Sequence, residues 1–284
     1  MASSLSETRI GHDAGAHPAR PIRWGNCLLS GYAMLVYLFL YGPVGLLVLL
    51  SVNNSEVIGL PFRGFSWRWY ETVANTPELV HAIVNSFAVG AASALAATVI
   101  ALLMAMGFRS DLPLRNVIVK MLLLPILIPG IVGGAVFLVF FGVVGVPLGL
   151  WTTVIVTHIT WVLPFAFLTL FPRLHNFDRS LEEAAMDLGA RPIIVFQRIL
   201  LPLIWPGIVS TLLFSFTLSF DEFVRTLFVI GDERTIPVHL WVLITNQMAP
   251  FLPAVGVIIM GTSIAISLIG FAVSARSSHS GTEQ

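Results

Sequence analysis

Residues Ser180 to Pro202 read SLEEAAMDLGARPIIVFQRILLP, a polar segment set between two long apolar runs. Ser180 followed three residues later by Glu183 has the spacing of a capping box, which predicts a helix start at Ser180. Leu181, Ala184, Ala185 and Leu188 fall at i, i+3, i+4 and i+7 and form a narrow apolar stripe, with Glu182 and Asp187 off it. Gly189 suits the left-handed cap that ends a helix, and Pro192 suits the first turn of another. The expectation is a short helix, a tight turn and a second helix. Such a charged-rimmed stripe, too short to be stable alone, fits two roles: an amphipathic connector lying on a membrane, or a knob that inserts into a partner's groove.

The rest of the chain decides where that segment sits. Its 284 residues are 56% hydrophobic, against about 45–50% in soluble domains. With a mean hydropathy of +0.89, it reads as an integral membrane protein. Formal net charge is zero, so no global field argues for nucleic acid. The lone Cys27 excludes an intramolecular disulfide and a cysteine-rich metal site, and reads as a small hydrophobe. Lys120 is the one lysine, and it stands between Val119 and Met121, so no Gly-Lys-Ser/Thr phosphate loop exists here. If ATP drives this chain, another subunit binds it.

Residues 1–26 lack apolar periodicity and read as a disordered tail. The run from Cys27 is too long for a cleaved signal and reads as an uncleaved membrane helix. Crossing roughly 30 Å of hydrocarbon takes about 20 apolar residues, and the backbone must satisfy itself, so each crossing is a helix. Six runs qualify, at about 28–52, 82–108, 116–141, 148–171, 203–229 and 251–274. Pro43, Pro125, Pro129, Gly130, Gly133 and Gly134 inside them predict kinks or close helix contacts. Residues 27–275 thus form one six-helix domain, followed by a tail at 276–284. Counting arginines and lysines gives eleven on the side of the termini and of the 178–202 loop, against four on the other. The positive-inside rule therefore places both termini and that loop in the cytoplasm. In the outer connection 53–81, Trp67, Trp69 and Tyr70 read as interfacial anchors or as contacts for an external partner.

Glu183-Ala184-Ala185, three residues, Gly189, nine residues, then Ile199-x-Leu201-Pro202 resembles the EAA loop of ABC importer permease subunits at every position of its usual spacing. The resemblance implies the all-α, six-span type I importer permease (MetI-like) fold in a bacterial inner membrane. It implies that Glu182, Glu183, Ala184, Ala185, Asp187, Leu188 and Gly189 form a coupling helix docking on an ATPase subunit. The partners it implies are an ATPase dimer holding ATP and magnesium, a second permease, related or identical, and an extracytoplasmic solute-binding protein. Beyond these the chain meets membrane lipid, and it holds no cofactor of its own.

Gly64-Phe65-Ser66-Trp67 with Trp69-Tyr70, and later Asn85-Ser86, resemble the spermidine/putrescine permease branch. So does Ser219-Phe220-Asp221-Glu222-Phe223, where acids near the translocation path suit a cationic solute. At 1.5 Å per residue, Asp221 lies about 27 Å along the helix from Leu203, in the outer half of the membrane. Ionised groups cost on the order of 2.5–3.5 kcal/mol each at mid-membrane, so Asp221, Glu222 and Arg225 should face protein or a water-filled path. Asp221 and Arg225 at i, i+4 also have the order of a helical ion pair. Arg225 departs from the branch and keeps a mixed-charge amino compound open as the solute. His158, Trp161 and Asn85 fit either the path or helix-helix hydrogen bonds worth about 0.6 kcal/mol each. No metal-ligand spacing and no nucleophile-base set occurs, which argues against an enzyme. The alternative is an ion-coupled secondary transporter or channel with Asp221 or Glu222 as relay.

Overall fold

The computed structural model describes residues 24–109, 113–175, 177–246 and 248–279. Of the disordered tail expected over 1–26, residues 1–23 lie outside them, and residues 24–26 are instead the first of a helix. Helices dominate the described residues, and the only extended pairing among them is a single bridge between Asn53 and Phe65. The chain divides into two compact units, residues 1–46 and 47–284. Helix α1 (Trp24–Ser51) crosses that boundary and is apolar along its length.

In the second unit, α2 (Arg68–Ala74) leads into α3 (Pro77–Gly107), which Pro77 opens at its first turn. Trp69, expected as an interfacial anchor, is instead buried at 8% exposure, and its Nε1 donates to the Asn53 carbonyl at 2.8 Å. Tyr70 reaches Ser51 Oγ at 2.9 Å. These two aromatics tie the 53–67 loop to its own chain, and Trp67 is the one left exposed.

The third apolar run, expected over 116–141 with kinks or close contacts at its prolines and glycines, bends far more sharply than a kink. It is broken into α4 (Arg115–Leu127) and α5 (Gly130–Val144), bent by 108°. Pro129 causes this by pushing Ile128 into an extended conformation and lacking an N–H to continue the ladder. A π-helical turn, Leu150–Val154, opens the next span and continues as α6 (Ile155–His175).

After the short α7 (Ser180–Asp187) and α8 (Pro192–Val195), a second π-helical turn leads into α9 (Leu201–Phe220). Together Pro192–Phe220 make one apolar span that starts eleven residues earlier than the expected 203 and stops short of 229. A break at 221–223 precedes α10 (Val224–Val229), followed by α11 (Ile236–Asn246) and α12 (Leu252–His279). The final helix continues through 276–279, the first residues expected as a tail. Among the described residues five helices are long and apolar enough to cross a membrane, and the number is six when the bent α4–α5 pair is counted as one span.

Helix α3 packs on α6 and α9, α12 packs on α9, and α10 lies on α5. Lipid tails are as apolar as leucine, so these contacts depend on close packing rather than on a hydrophobic force between helices. Ala97, Ala101 and Ala105 supply that closeness on α3, meeting Val162, Ala166, Phe167 and Leu170 of α6 and Ile204 of α9.

Candidate functional site

Two places concentrate polar chemistry. The first is α7. Its helix starts at Ser180 as expected, but the capping box does not form. Arg179 is the N-cap, its carbonyl accepts from the amides of Glu182 and Glu183, and the amide of Ser180 donates to Asp178 Oδ1 at 2.9 Å. Asp178, two residues upstream, satisfies the amide that the box would have needed, and the Ser180 backbone and hydroxyl hold its carboxyl below the ordinary range.

At the other end Gly189 has φ +86°, Gly189 N donates to Met186 O at 2.9 Å, and Ala190 N donates to Ala185 O at 3.0 Å. This is a complete Schellman turn, and a residue with a Cβ is disfavoured at its left-handed position. Arg109, just past the end of α3, ties the helix down through Nη2 to Glu182 Oε1 at 2.5 Å, and Arg179 donates to the Arg109 carbonyl. Met106, Arg109, Arg179, Glu182, Glu183 and Met186 line a cavity of about 340 Å³ beside it. The apolar stripe stays uncovered: Leu181 and Ala184 are exposed, Ala185 is half-buried, and Leu188 is 90% exposed. Asp187 and Gly189 are exposed as well. The result is a short helix held firmly at both ends with its apolar face free.

The second place is the break between α9 and α10. Neither Pro nor Gly marks it. Glu222 makes it with its own carboxylate, Oε1 accepting from Arg225 N at 2.9 Å at the start of α10, while Oε2 accepts from Arg225 Nη1 at 3.0 Å. The expected helical pair of Asp221 with Arg225 is therefore replaced by Glu222 with Arg225, because the helix does not continue through these residues. The Arg225 guanidinium is buried, with its Cζ 3.7 Å from the centre of the Trp161 ring. Asp221 goes elsewhere, accepting from Ser263 Oγ of α12 at 3.0 Å, and it is exposed with no ion pair among the described residues.

His158 is buried at 1% exposure and clasps the break, with Nδ1 2.7 Å from Ser219 Oγ and Nε2 2.7 Å from Thr226 Oγ1. Thr226 Oγ1 donates to the Glu222 carbonyl at 2.7 Å, so toward His158 it accepts. That puts the imidazole proton on Nε2 and leaves Nδ1 to accept from Ser219. With both nitrogens engaged, His158 bonds α6 to α9 and α10. Asn85 stands apart from this cluster, its Nδ2 donating to the Arg234 carbonyl at 3.0 Å.

Sequence reading missed Arg109, Asp178, Thr226 and Ser263 as partners. Asp178 had a local signal, being an acid just ahead of a helix, whereas Arg109 and Ser263 act across 73 and 42 residues. Among the described residues no group of three or more His, Cys, Asp or Glu could hold a metal ion.

Residues 93–278 match the family model described as binding-protein-dependent transport system inner membrane component. The chain belongs to that family. Among its relatives, the spermidine/putrescine transport system permease protein PotC of Haemophilus influenzae is 33% identical over 89% of this chain and 98% of its own length. PotC of Escherichia coli K12 is 32% identical over 85% and 92%, and the putrescine transport system permease protein PotI of that strain is 32% identical over 84% and 86%. The fold agrees with that of a bacterial ABC transporter importing the acidic polysaccharide alginate, with TM-score 0.69 at 16% identity over 89% of this chain and 96% of that one. It also agrees with the inward-facing MetNI methionine ABC transporter, with TM-score 0.58 at 19% identity over 70% and 96%. The permease is thus a multi-pass inner-membrane subunit of an ABC importer with the MetI-like fold. It is a transport component and not an enzyme, and the reading as an ion-coupled transporter or channel falls away.

Proposed function

We propose that this permease imports a polyamine or a related small cationic amine, and that α7 transmits ATPase motion to it. The carrying observation is α7 itself. A helix of eight residues pinned by Arg109 and closed by Gly189, with Leu181 and Leu188 uncovered, has the form of a rigid lever awaiting a groove. Glu182, Glu183, Ala184, Ala185, Asp187, Leu188 and Gly189 make the docking face in this reading. Two ATPase subunits, holding ATP and magnesium, close below two such helices, one from this chain and one from a related second permease or a second copy. Closure then rocks the pair from inward-facing to outward-facing, a population shift driven by differential binding of the two states. A soluble binding protein delivers the solute from outside, and both termini and α7 lie in the cytoplasm. Residues 27–275 act as one permease domain.

The solute reading rests on Asp221. The reason for keeping a mixed-charge solute was Arg225, a fixed cation near the acids. Glu222 neutralises it internally at 3.0 Å, so the group left facing outward is the exposed Asp221 carboxylate. A lone exposed carboxylate suits an ammonium group, in line with the polyamine names of the relatives. Glu222, Arg225, Trp161 and His158 then frame the path without touching the solute.

Gly189→Asp is expected to abolish uptake and weaken co-purification of the ATPase while the chain still inserts in the membrane. Normal uptake by that variant would overturn the coupling role. Asp221→Asn is expected to lower putrescine uptake with assembly intact, and unchanged uptake kinetics would leave Asp221 a purely structural residue.

A further inference from the structure

Arg109, just past one end of helix α3, holds α7 there. At the other end of α3, about 44 Å away at 1.5 Å per residue, lies a polar pocket that shares no residue with the α9–α10 break. Glu78, His81 and Asn85 line it from one face of α3, Asp232, Glu233 and Arg234 from the loop between α10 and α11, and His239 from α11. Its volume is about 540 Å³. Part of its polarity is already used, since Glu233 Oε2 accepts from Leu150 N at 3.0 Å and Asn85 Nδ2 donates to the Arg234 carbonyl. The carboxylates of Glu78 and Asp232 have no hydrogen bond or ion pair among the described residues.

Three carboxylates face one guanidinium, and Glu78 stands in the first turn of α3. The second observation is His239. Its side chain is 7% exposed and lines the pocket, yet neither ring nitrogen has a hydrogen-bond partner among the described residues. Its ring nitrogens are not sealed from solvent, so a donor entering the pocket would meet them in place of water. Burial and Arg234 hold this imidazole below its ordinary range, against a smaller opposite pull from Glu78, so at neutral pH it is an acceptor.

We infer that this pocket is an amine-binding vestibule that takes an alkyl amine carrying two or more ammonium groups, with Glu78 and Asp232 as counter-charges and His239 as the buried acceptor. Its net charge of two negatives matches a diamine, and a zwitterion or anion has no complement there. The inference rests on the proposed cationic solute and orientation, which put the pocket on the outer side, ahead of Asp221.

The test is equilibrium binding of radiolabelled putrescine and spermidine to the assembled permease complex in nanodiscs without binding protein, in an Asp221→Asn background. Binding is expected, weakened about tenfold in Glu78→Gln/Asp232→Asn and about threefold in His239→Leu. Asp232→Asn alone, a change confined to a loop, covers the case in which the double variant does not assemble, and it too should weaken binding. Unchanged binding in these variants overturns the vestibule. So does loss of binding-protein docking with amine binding intact, which would make the pocket a protein-docking surface. Wild-type uptake of polyamine separates the two ideas: uptake without vestibule binding sinks the pocket alone, whereas no uptake and no binding sinks the polyamine reading with it.

Discussion

Arg225 stacks on Trp161, and its charge is cancelled by Glu222 three residues earlier, with side chains 8% and 9% exposed. Removing one member of a buried pair leaves an unpaired charge, which typically costs about 3–5 kcal/mol, whereas replacing both partners is far milder. Arg225→Met is therefore expected to lower the thermal stability of the detergent-purified complex strongly, and Glu222→Gln/Arg225→Met to restore most of it. A single variant as stable as the wild type would show that the pair does not hold the α9–α10 break. Asp221, bonded to Ser263 and exposed, belongs to neither outcome and should leave stability nearly unchanged when amidated.

At the scale of elements, the close approach of α5 and α10 depends on glycine. A Cβ at Gly134 would lie 2.6 Å from Phe228 Cδ2 and 3.3 Å from the Arg225 Cα, so ring and backbone would both have to move. Gly134→Ala is expected to destabilise by about 1–3 kcal/mol through overpacking. Gly142→Ala, on the same helix with nothing within 4 Å of its Cβ, should be neutral or slightly stabilising. Melting temperatures of the two variants compare them directly, and equal values would mean that α5 and α10 do not rely on this contact. The bend of 108° between α4 and α5 belongs to the same scale. Proline at 129 announced a kink, but a span with a kink and a span folded to that angle have the same local sequence.

For the whole molecule, the decisive question is which end of α3 faces the cytoplasm. After Cys27→Ser, Asp232→Cys is expected to react with a membrane-impermeant maleimide in cells whose outer membrane alone is opened. Asp187→Cys should react only once the inner membrane is opened as well. The reverse pattern would invert the orientation and remove both the coupling role of α7 and the external vestibule together.

The sequence by itself determined which runs are apolar and long enough to cross, because crossing hydrocarbon demands about 20 apolar residues and a self-satisfied backbone, and both demands are local. It also determined the start and stop of α7, since a helix boundary and the positive φ of Gly189 are settled within about five residues. Even there Asp178, two residues upstream, took the place of Glu183 as the acceptor for the Ser180 amide. Composition could name Asp221, Glu222, Arg225 and His158 as costly in a membrane without saying who neutralises whom. That choice follows from which groups come within about 3 Å once the helices are packed. It sets His158 against Ser219 and Thr226 across 61 and 68 residues, and Glu182 against Arg109 across 73. The uncovered stripe on α7 was legible because it is a matter of spacing along one helix. The polar pocket was not, because α3, the α10–α11 loop and α11 meet only in three dimensions.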